Sequence, residues 1–210
     1  MATLAGASPY LDLVRQRVVI YDGATGTNLQ LADLGPDDFG GDRYEGCNEI
    51  LVVTRPDVVK ELHRSFLEVG VDVVETNSFG CFPVVLAEYG LEDRTVELAT
   101  EAARLAREVA DGYSTPDRRR FVAGSIGPGT KLPTLGQIEF AELRGAYELL
   151  SDGLLAGGVD LFLIETVYDV LQAKAAIQAC RRAMGRAGRE IPSSVTNVLR
   201  CEARSSSVRS

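Results

Sequence analysis

Histidine is almost absent from this chain of 210 residues: His63 is the only one, and it sits beside Leu62 within a helical pattern, away from every polar strand end. A mechanism relying on a histidine base is hard to build from it, and it reads as an ordinary helix residue. Closely spaced cysteines are also missing. Cys47, Cys81, Cys180 and Cys201 lie 34, 99 and 21 positions apart, without the C-x-x-C spacing of a zinc ribbon or redox motif. No metal site within this chain is expected, and the cysteines read as free thiols in a reducing cytosol. No apolar stretch approaches the roughly 20 residues that cross a bilayer. The opening Met1-Ala-Thr-Leu-Ala-Gly6 lacks the basic segment of a signal peptide, so a cytoplasmic chain is expected. Positive charge is in deficit, with 22 Lys and Arg against 30 Asp and Glu. The net charge of -8 disfavours nucleic acid and membrane surfaces as partners.

What is present is ordinary globular composition, 45% hydrophobic and 25% charged, for which one domain is the prior. A pattern repeats along it: a β-branched run ending in polar residues, a glycine-bearing loop, then helical periodicity. The runs are Val18-Val-Ile-Tyr-Asp22, Val71-Asp-Val-Val-Glu-Thr-Asn77, Phe121-Val-Ala-Gly-Ser-Ile126 and Val159-Asp-Leu-Phe-Leu-Ile-Glu-Thr166. Between them, Val58, Val59, Leu62, Phe66 and Val69 share one helical face, with Thr54 and Asp57 spaced as a capping box and Gly70 as the stop. Leu98 to Val109 and Phe140 to Leu154 give two more helices. Asp169 caps a fourth, carrying Leu171, Ala175, Ala179 and Cys180.

Strand–helix alternation leaves an open doubly wound sheet or a closed barrel of eight units. Alternate residues on each strand share a face: Val18, Ile20 and Asp22; Val73, Glu75 and Asn77; Ala123 and Ser125; Leu161, Leu163 and Glu165. Each face is apolar or small until its C-terminal end and polar there, as expected if the faces line a barrel and the polar ends converge on a site at its top. The fold class is therefore α/β, a TIM (β/α)8 barrel represented by about four units. A fifth strand should begin at Ile191, but six serines and three arginines follow among residues 193–210. The expectation is a partial barrel over residues 1–192 and a disordered tail over 193–210 that does not belong to the domain.

Two glycine-rich turns invite comparison with nucleotide-binding loops. In Gly124-Ser-Ile-Gly-Pro-Gly-Thr-Lys131, Thr precedes Lys and Pro133 delays any helix, which is the wrong order for a phosphate loop. Asp22-Gly-Ala-Thr-Gly-Thr27 lacks the G-x-G-x-x-G spacing. Gly23 reads instead as a tight turn that lets a small ligand approach the backbone.

Taken together, Asp22-Gly-Ala-Thr-Gly-Thr-Asn-Leu-Gln30, Glu45-Gly-Cys-Asn-Glu-Ile-Leu51, Thr54-Arg-Pro-Asp57, Val74-Glu-Thr-Asn77 with Phe79-Gly80, Gly124 to Gly136 and Glu165-Thr166 closely resemble the N-terminal homocysteine-binding domain of bacterial cobalamin-dependent methionine synthases. The resemblance runs from about Val18 to Pro192. It implies a barrel that binds homocysteine at its top, with the sulfur on zinc, and transfers a methyl group from methylcobalamin to give methionine. Residue by residue, Asp22 and Glu165 match acidic positions near the amino-acid end of homocysteine. Glu75, Asn77 and Ser125 match the strand-end shell around them, and Gly23 the adjoining turn.

In the family the zinc ligands are three cysteines, one after the sixth strand and a pair after the eighth, and none of the four cysteines here stands at a matching position. Neither zinc nor methylcobalamin is expected to bind this chain alone, and the cobalamin and folate domains of the intact family member are absent from it. The isolated chain is expected to be inactive and to self-associate through exposed sheet edges. Two other readings remain open: a barrel lyase using Asp22, Glu75 and Glu165 around magnesium, and a non-catalytic remnant.

Overall fold

A computed structural model describes residues 8–197. β1 (Val73–Glu75), β2 (Phe121–Ile126), β3 (Leu161–Val167) and β4 (Ser193–Asn197) form a parallel sheet in the order β1-β2-β3-β4. Residues 20–22 extend it beyond β1. Tyr21 pairs in parallel with Val73, the Asp72 and Val73 N–H groups donate to the Ile20 carbonyl, and the Asp22 N–H donates to the Val73 carbonyl. Strand order therefore follows chain order with no reversal. A doubly wound sheet needs a reversal, whereas sequential parallel strands with helices outside form the wall of a barrel.

Among the described residues, six helices of six or more residues accompany the sheet: α1 (Pro9–Gln16), α2 (Thr25–Gln30), α3 (Pro56–Val69), α4 (Thr95–Gly112), α5 (Phe140–Gly157) and α6 (Val170–Ala187). α3 spans its predicted range and ends where Gly70 adopts φ +103°. Its capping box does not form. The residue before a proline is kept out of the helical region, so Arg55 becomes the boundary and pairs with Asp57, while the Thr54 hydroxyl donates back to the Ile50 carbonyl. Its buried face is also rotated from the predicted one: Val59, Leu62, His63 and Leu67 are inside, and Val69 is 81% exposed. His63 is thus not an ordinary helix residue. It is fully buried, neither ring nitrogen has a partner among the described residues, and burial lowers its pKa to about 4.

α6 begins as predicted, with the Asp169 carboxylate accepting the Leu171 and Gln172 N–H groups. Ala175, Ala176, Ala179 and Cys180 are buried on it, whereas Leu171 lies outside, 38% exposed. α4 and α5 touch through small residues. A Cβ added at Gly157 would stand 2.4 Å from the Thr100 carbonyl oxygen and 2.5 Å from the Ala103 Cβ, while one at Gly145, on the same helix, would meet open space.

Inside the sheet, Val73, Phe121, Ala123, Leu161 and Leu163 form a cluster against which Tyr10, Leu13, Val19 and Tyr21 pack. The predicted alternation holds for β1, β2 and β3 and is reversed in the leading segment. Val19 and Tyr21 face inward there, and Val18 and Ile20 are 78% and 51% exposed. The reversal follows from α1, which lies against the N-terminal ends of the strands. Its Tyr10 ring meets Phe121 edge-on at 5.7 Å, and its hydroxyl is 2.6 Å from that of Tyr21. Arg17 fixes the segment by donating twice, at 2.7 Å, to the buried Asp72 carboxylate, which is held down to about 2 by that pairing.

The predicted disordered tail is corrected at its start. Ser193–Asn197 is a strand in register with β3, with Phe162 opposite Ser193 and Ile164 opposite Val195. The exposed row of β3 backbone groups selects it, because strand propensity reflects the neighbour as much as the side chain. Residues 198–210 lie outside the described residues.

Candidate functional site

The C-terminal ends of the strands enclose a cavity of ≈ 240 Å³ lined by Ala24, Thr25 and Gly26, by Asn48 and Glu49, by Glu75 to Phe79, and by Ser125 and Glu165. A larger groove of ≈ 530 Å³ lies between α2 and α3, and it gathers no residue from a strand end.

Each wall has a local cause. β1 presents Glu75 as its last residue. β2 presents Ser125, whose hydroxyl donates to the Glu165 carboxylate at 2.5 Å. Glu165 stands in β3 where pairing with β4 slips between Ile164 and Val167, and the next residue, Thr166, adopts φ +57°. A β-branched residue in the left-handed region is strained, so packing around Glu165 holds it there. On the opposite side Ala24 adopts φ +49° and opens α2. Loops tie the walls together: the Asn77 amide donates to the Asn48 carbonyl at 2.7 Å, and the Gly80 N–H donates to the Glu49 carboxylate at 2.8 Å. A Cβ at Gly80 would meet that same Glu49 oxygen at 2.8 Å.

Of the six predicted site residues, Glu75, Asn77, Ser125 and Glu165 line the cavity. Asp22 stands behind the wall. Both of its carboxylate oxygens accept the Glu75 N–H at 3.0 Å, so it positions β1 and adds its charge to the site from there. Gly23 does not line the cavity, and the left-handed turn falls on Ala24 instead. Glu49 is the wall carboxylate that periodicity misses, because its loop has no strand or helix repeat. The motif Glu45-Gly-Cys-Asn-Glu-Ile-Leu51 is the signal that marks it.

The electrostatics are one-sided, since among the described residues no Lys, Arg or His lines the cavity. Burial pushes Asp22 up to about 7, opposed by the N–H groups it accepts and assisted by the Glu165 charge. Burial also raises Glu75, with Glu165 and Asp22 adding to it, and raises Glu165 against the hydroxyl of Ser125. Glu49 is raised by burial as well. Buried carboxylates without a counterion hold protons or take up a cation.

A resident metal ion would need a grouped donor set. Among the described residues no three His, Cys, Asp or Glu are grouped to hold one, which also leaves the magnesium lyase reading without support. Cys47, Cys81 and Cys180 are fully buried, and among the described residues none is grouped with two further His, Cys, Asp or Glu, as a zinc ion requires. These residues do not fit a zinc ion.

Comparison with known proteins agrees with the fold and the motifs. Among solved structures, the homocysteine methyltransferase MmuM from Escherichia coli in its oxidized form superposes with a TM-score of 0.71 at 20% identity, covering 92% of this chain and 67% of that one. Its metallated form gives 0.67 at the same identity, covering 88% and 65%. This likeness bears on the fold. The methionine synthase of Mycobacterium tuberculosis is 54% identical over 182 residues, 87% of this chain and 15% of that protein. That of Mycobacterium leprae is 52% identical over the same length. The chain thus spans about 15% of the length of these curated relatives. The homocysteine S-methyltransferase family model matches residues 19–207, through β4 and beyond the boundary expected at 192. With that match running from the leading segment past the last described strand, the chain belongs to the homocysteine S-methyltransferase family.

Proposed function

We propose that the strand-end cavity binds the amino-acid end of homocysteine and that the chain supplies this part of the site for methyl transfer within a longer, cytoplasmic methionine synthase. The observation that carries the reading is the convergence of Glu75, Glu165 and Ser125, from three neighbouring strands, on one cavity that lacks a cation. An α-ammonium group supplies the missing charge and donates to carboxylates on both sides. At ≈ 240 Å³ the cavity lies below the usual 300–1,000 Å³ range of ligand pockets, which suits one small amino acid. A corrinoid has no room beside it and stays outside.

In this reading Glu165 accepts from the ammonium group and is oriented by Ser125. Glu75 accepts from the other side, and Asp22 holds the Glu75 backbone. A zinc ion, held elsewhere in the longer protein, would stabilise the substrate sulfur as thiolate. Among the described residues no three His, Cys, Asp or Glu are grouped to hold it, and this reading assigns zinc and the cobalamin- and folate-bearing regions to the longer protein. Self-association belongs to the same proposal, since the leading segment and β4 each pair on one side only among the described residues.

Calorimetric titration with L-homocysteine and L-methionine tests the reading. Binding of both is expected, and Glu165→Gln should weaken it by about 10- to 150-fold, the worth of a hydrogen bond to a charged group. Equal affinity in the wild type and Glu165→Gln removes Glu165 from the site.

A further inference from the structure

The ligand-free cavity poses a charge problem that its own residues must solve. Glu75, on β1, and Glu165, on β3, line the same cavity from either side of β2, with Ser125 bonded to Glu165. Asp22 and Tyr21 face the pair from the leading segment, Glu49 from the loop before α3, and Thr76 and Asn77 from the end of β1. The Asp22 carboxylate is already spent on the Glu75 N–H, and Glu49 on that of Gly80. Ser125 donates to Glu165, which leaves Glu75 as the member with no hydroxyl donor of its own among the described residues.

We infer that Glu75 and Glu165 share one proton in the ligand-free cavity, carried on Glu75 and donated to Glu165, and that an α-ammonium group replaces it when an amino acid binds. The inference rests on the amino-acid reading of the site given above. The exchange balances: a Glu75 carboxylic acid hydrogen-bonded to a Glu165 carboxylate, plus a ligand ammonium, becomes two carboxylates flanking that ammonium, plus one proton released to solvent. No covalent bond changes other than the O–H bond of Glu75.

This makes Glu75 a specificity-determining residue. A ligand without an amine leaves the proton in place, gains no charge-assisted bond and meets the Glu165 charge directly, so a carboxylic acid of the same shape is rejected. The raised proton affinity of both glutamates, caused first by burial, supports the same arrangement.

The test titrates L-methionine, which has no thiol proton to confuse the count, into the 210-residue chain in phosphate and in Tris buffer. The dependence of apparent enthalpy on buffer ionisation gives the protons released. About one proton per ligand is expected near pH 6.5 and fewer near pH 8.5, with affinity rising up to about tenfold per pH unit below the plateau. Glu75→Gln should abolish the release and weaken methionine binding without eliminating it, since Glu165 still accepts from the ammonium group. Binding with no proton release in the wild type overturns the inference. Carboxyl-carbon NMR of the ligand-free chain, labelled in glutamate, separates this failure from that of the underlying reading. Glu75 titrating in the ordinary glutamate range overturns the shared proton even if methionine binds. A shared proton with no methionine binding at either pH overturns the amino-acid reading, and the exchange with it.

Discussion

Between α4 and α5, Gly153 and Gly157 let two helix backbones meet against Ala99 and Ala103. At the strand ends, four carboxylates surround or back a small cavity beside two non-glycine residues with left-handed backbone. Both regions are enclosed, and they are built to different rules. The helical layer is filled to the limit of backbone contact. The cavity is left open and carries like charge that only a proton or a ligand relieves. Stability concentrated in the outer layer holds the strained, charged end in place.

The largest expected effect comes from proton linkage, because the two regions titrate in opposite senses. His63, in the helical layer, has its folded-state pKa depressed from 6.5 to about 4 by burial. Its contribution is fully present above the unfolded value and lost as pH falls from about 6.5 to 4, worth about 3 kcal/mol in all. Glu75, Glu165 and Asp22 have raised values, so their contribution is present at low pH and lost as pH rises from the usual carboxylate range through their folded values. Urea unfolding of His63→Leu should therefore show stability falling from about pH 5 to pH 8, the carboxylate trend uncovered. Glu75→Gln should show the steeper rise with pH. Parallel curves for the two variants break the comparison.

A second way to sharpen it lies within one helix. Gly157→Ala pushes a methyl against the Thr100 carbonyl and should cost about 1–3 kcal/mol, a loss of several degrees in melting temperature. Gly145→Ala, where a Cβ meets nothing, should instead gain about 0.5–1 kcal/mol from helix propensity. The same sign for both, by thermal unfolding, denies that α4 and α5 are in backbone contact.

The smallest effect is expected at the cavity rim. Thr166→Gly relieves the left-handed strain and should stabilise the chain by about 1 kcal/mol while loosening Glu165. Melting temperature rising as methionine affinity falls is the expected pairing. A loss of stability means that the Thr166 side chain holds the bend by contacts of its own.

Much of this arrangement was legible in the sequence, and the gaps have physical causes. Alternation on β1, β2 and β3 is visible because each strand has one face toward the cluster, and that face ends in a polar residue, Glu75, Ser125 or Glu165. In the leading segment the same alternation misleads, since Val18, Val19, Ile20 and Tyr21 are all apolar or aromatic and nothing local shows that α1 draws Tyr21 inward. β4 hides for the opposite reason: Ser193 and Ser194 look like loop residues, and only the open side of β3 makes them a strand. In the site, Glu75 and Glu165 are readable as strand ends. Glu49 lies in an irregular loop, and the backing role of Asp22 depends on one N–H across the sheet.

The hydrogen bond from the Glu75 N–H to Asp22 joins residues 53 positions apart, and that from Ser125 to Glu165 joins residues 40 apart. Neither is a contact between neighbours in sequence, so each must await closure of a long loop. α3, α4, α5 and α6 need only local turns to begin. The chain can therefore gain most of its helix before any two carboxylates meet, and mutual repulsion burdens the last stage of folding rather than the first. In rate terms, substitutions that neutralise the cavity should act on unfolding far more than on the early, helix-forming part of the reaction.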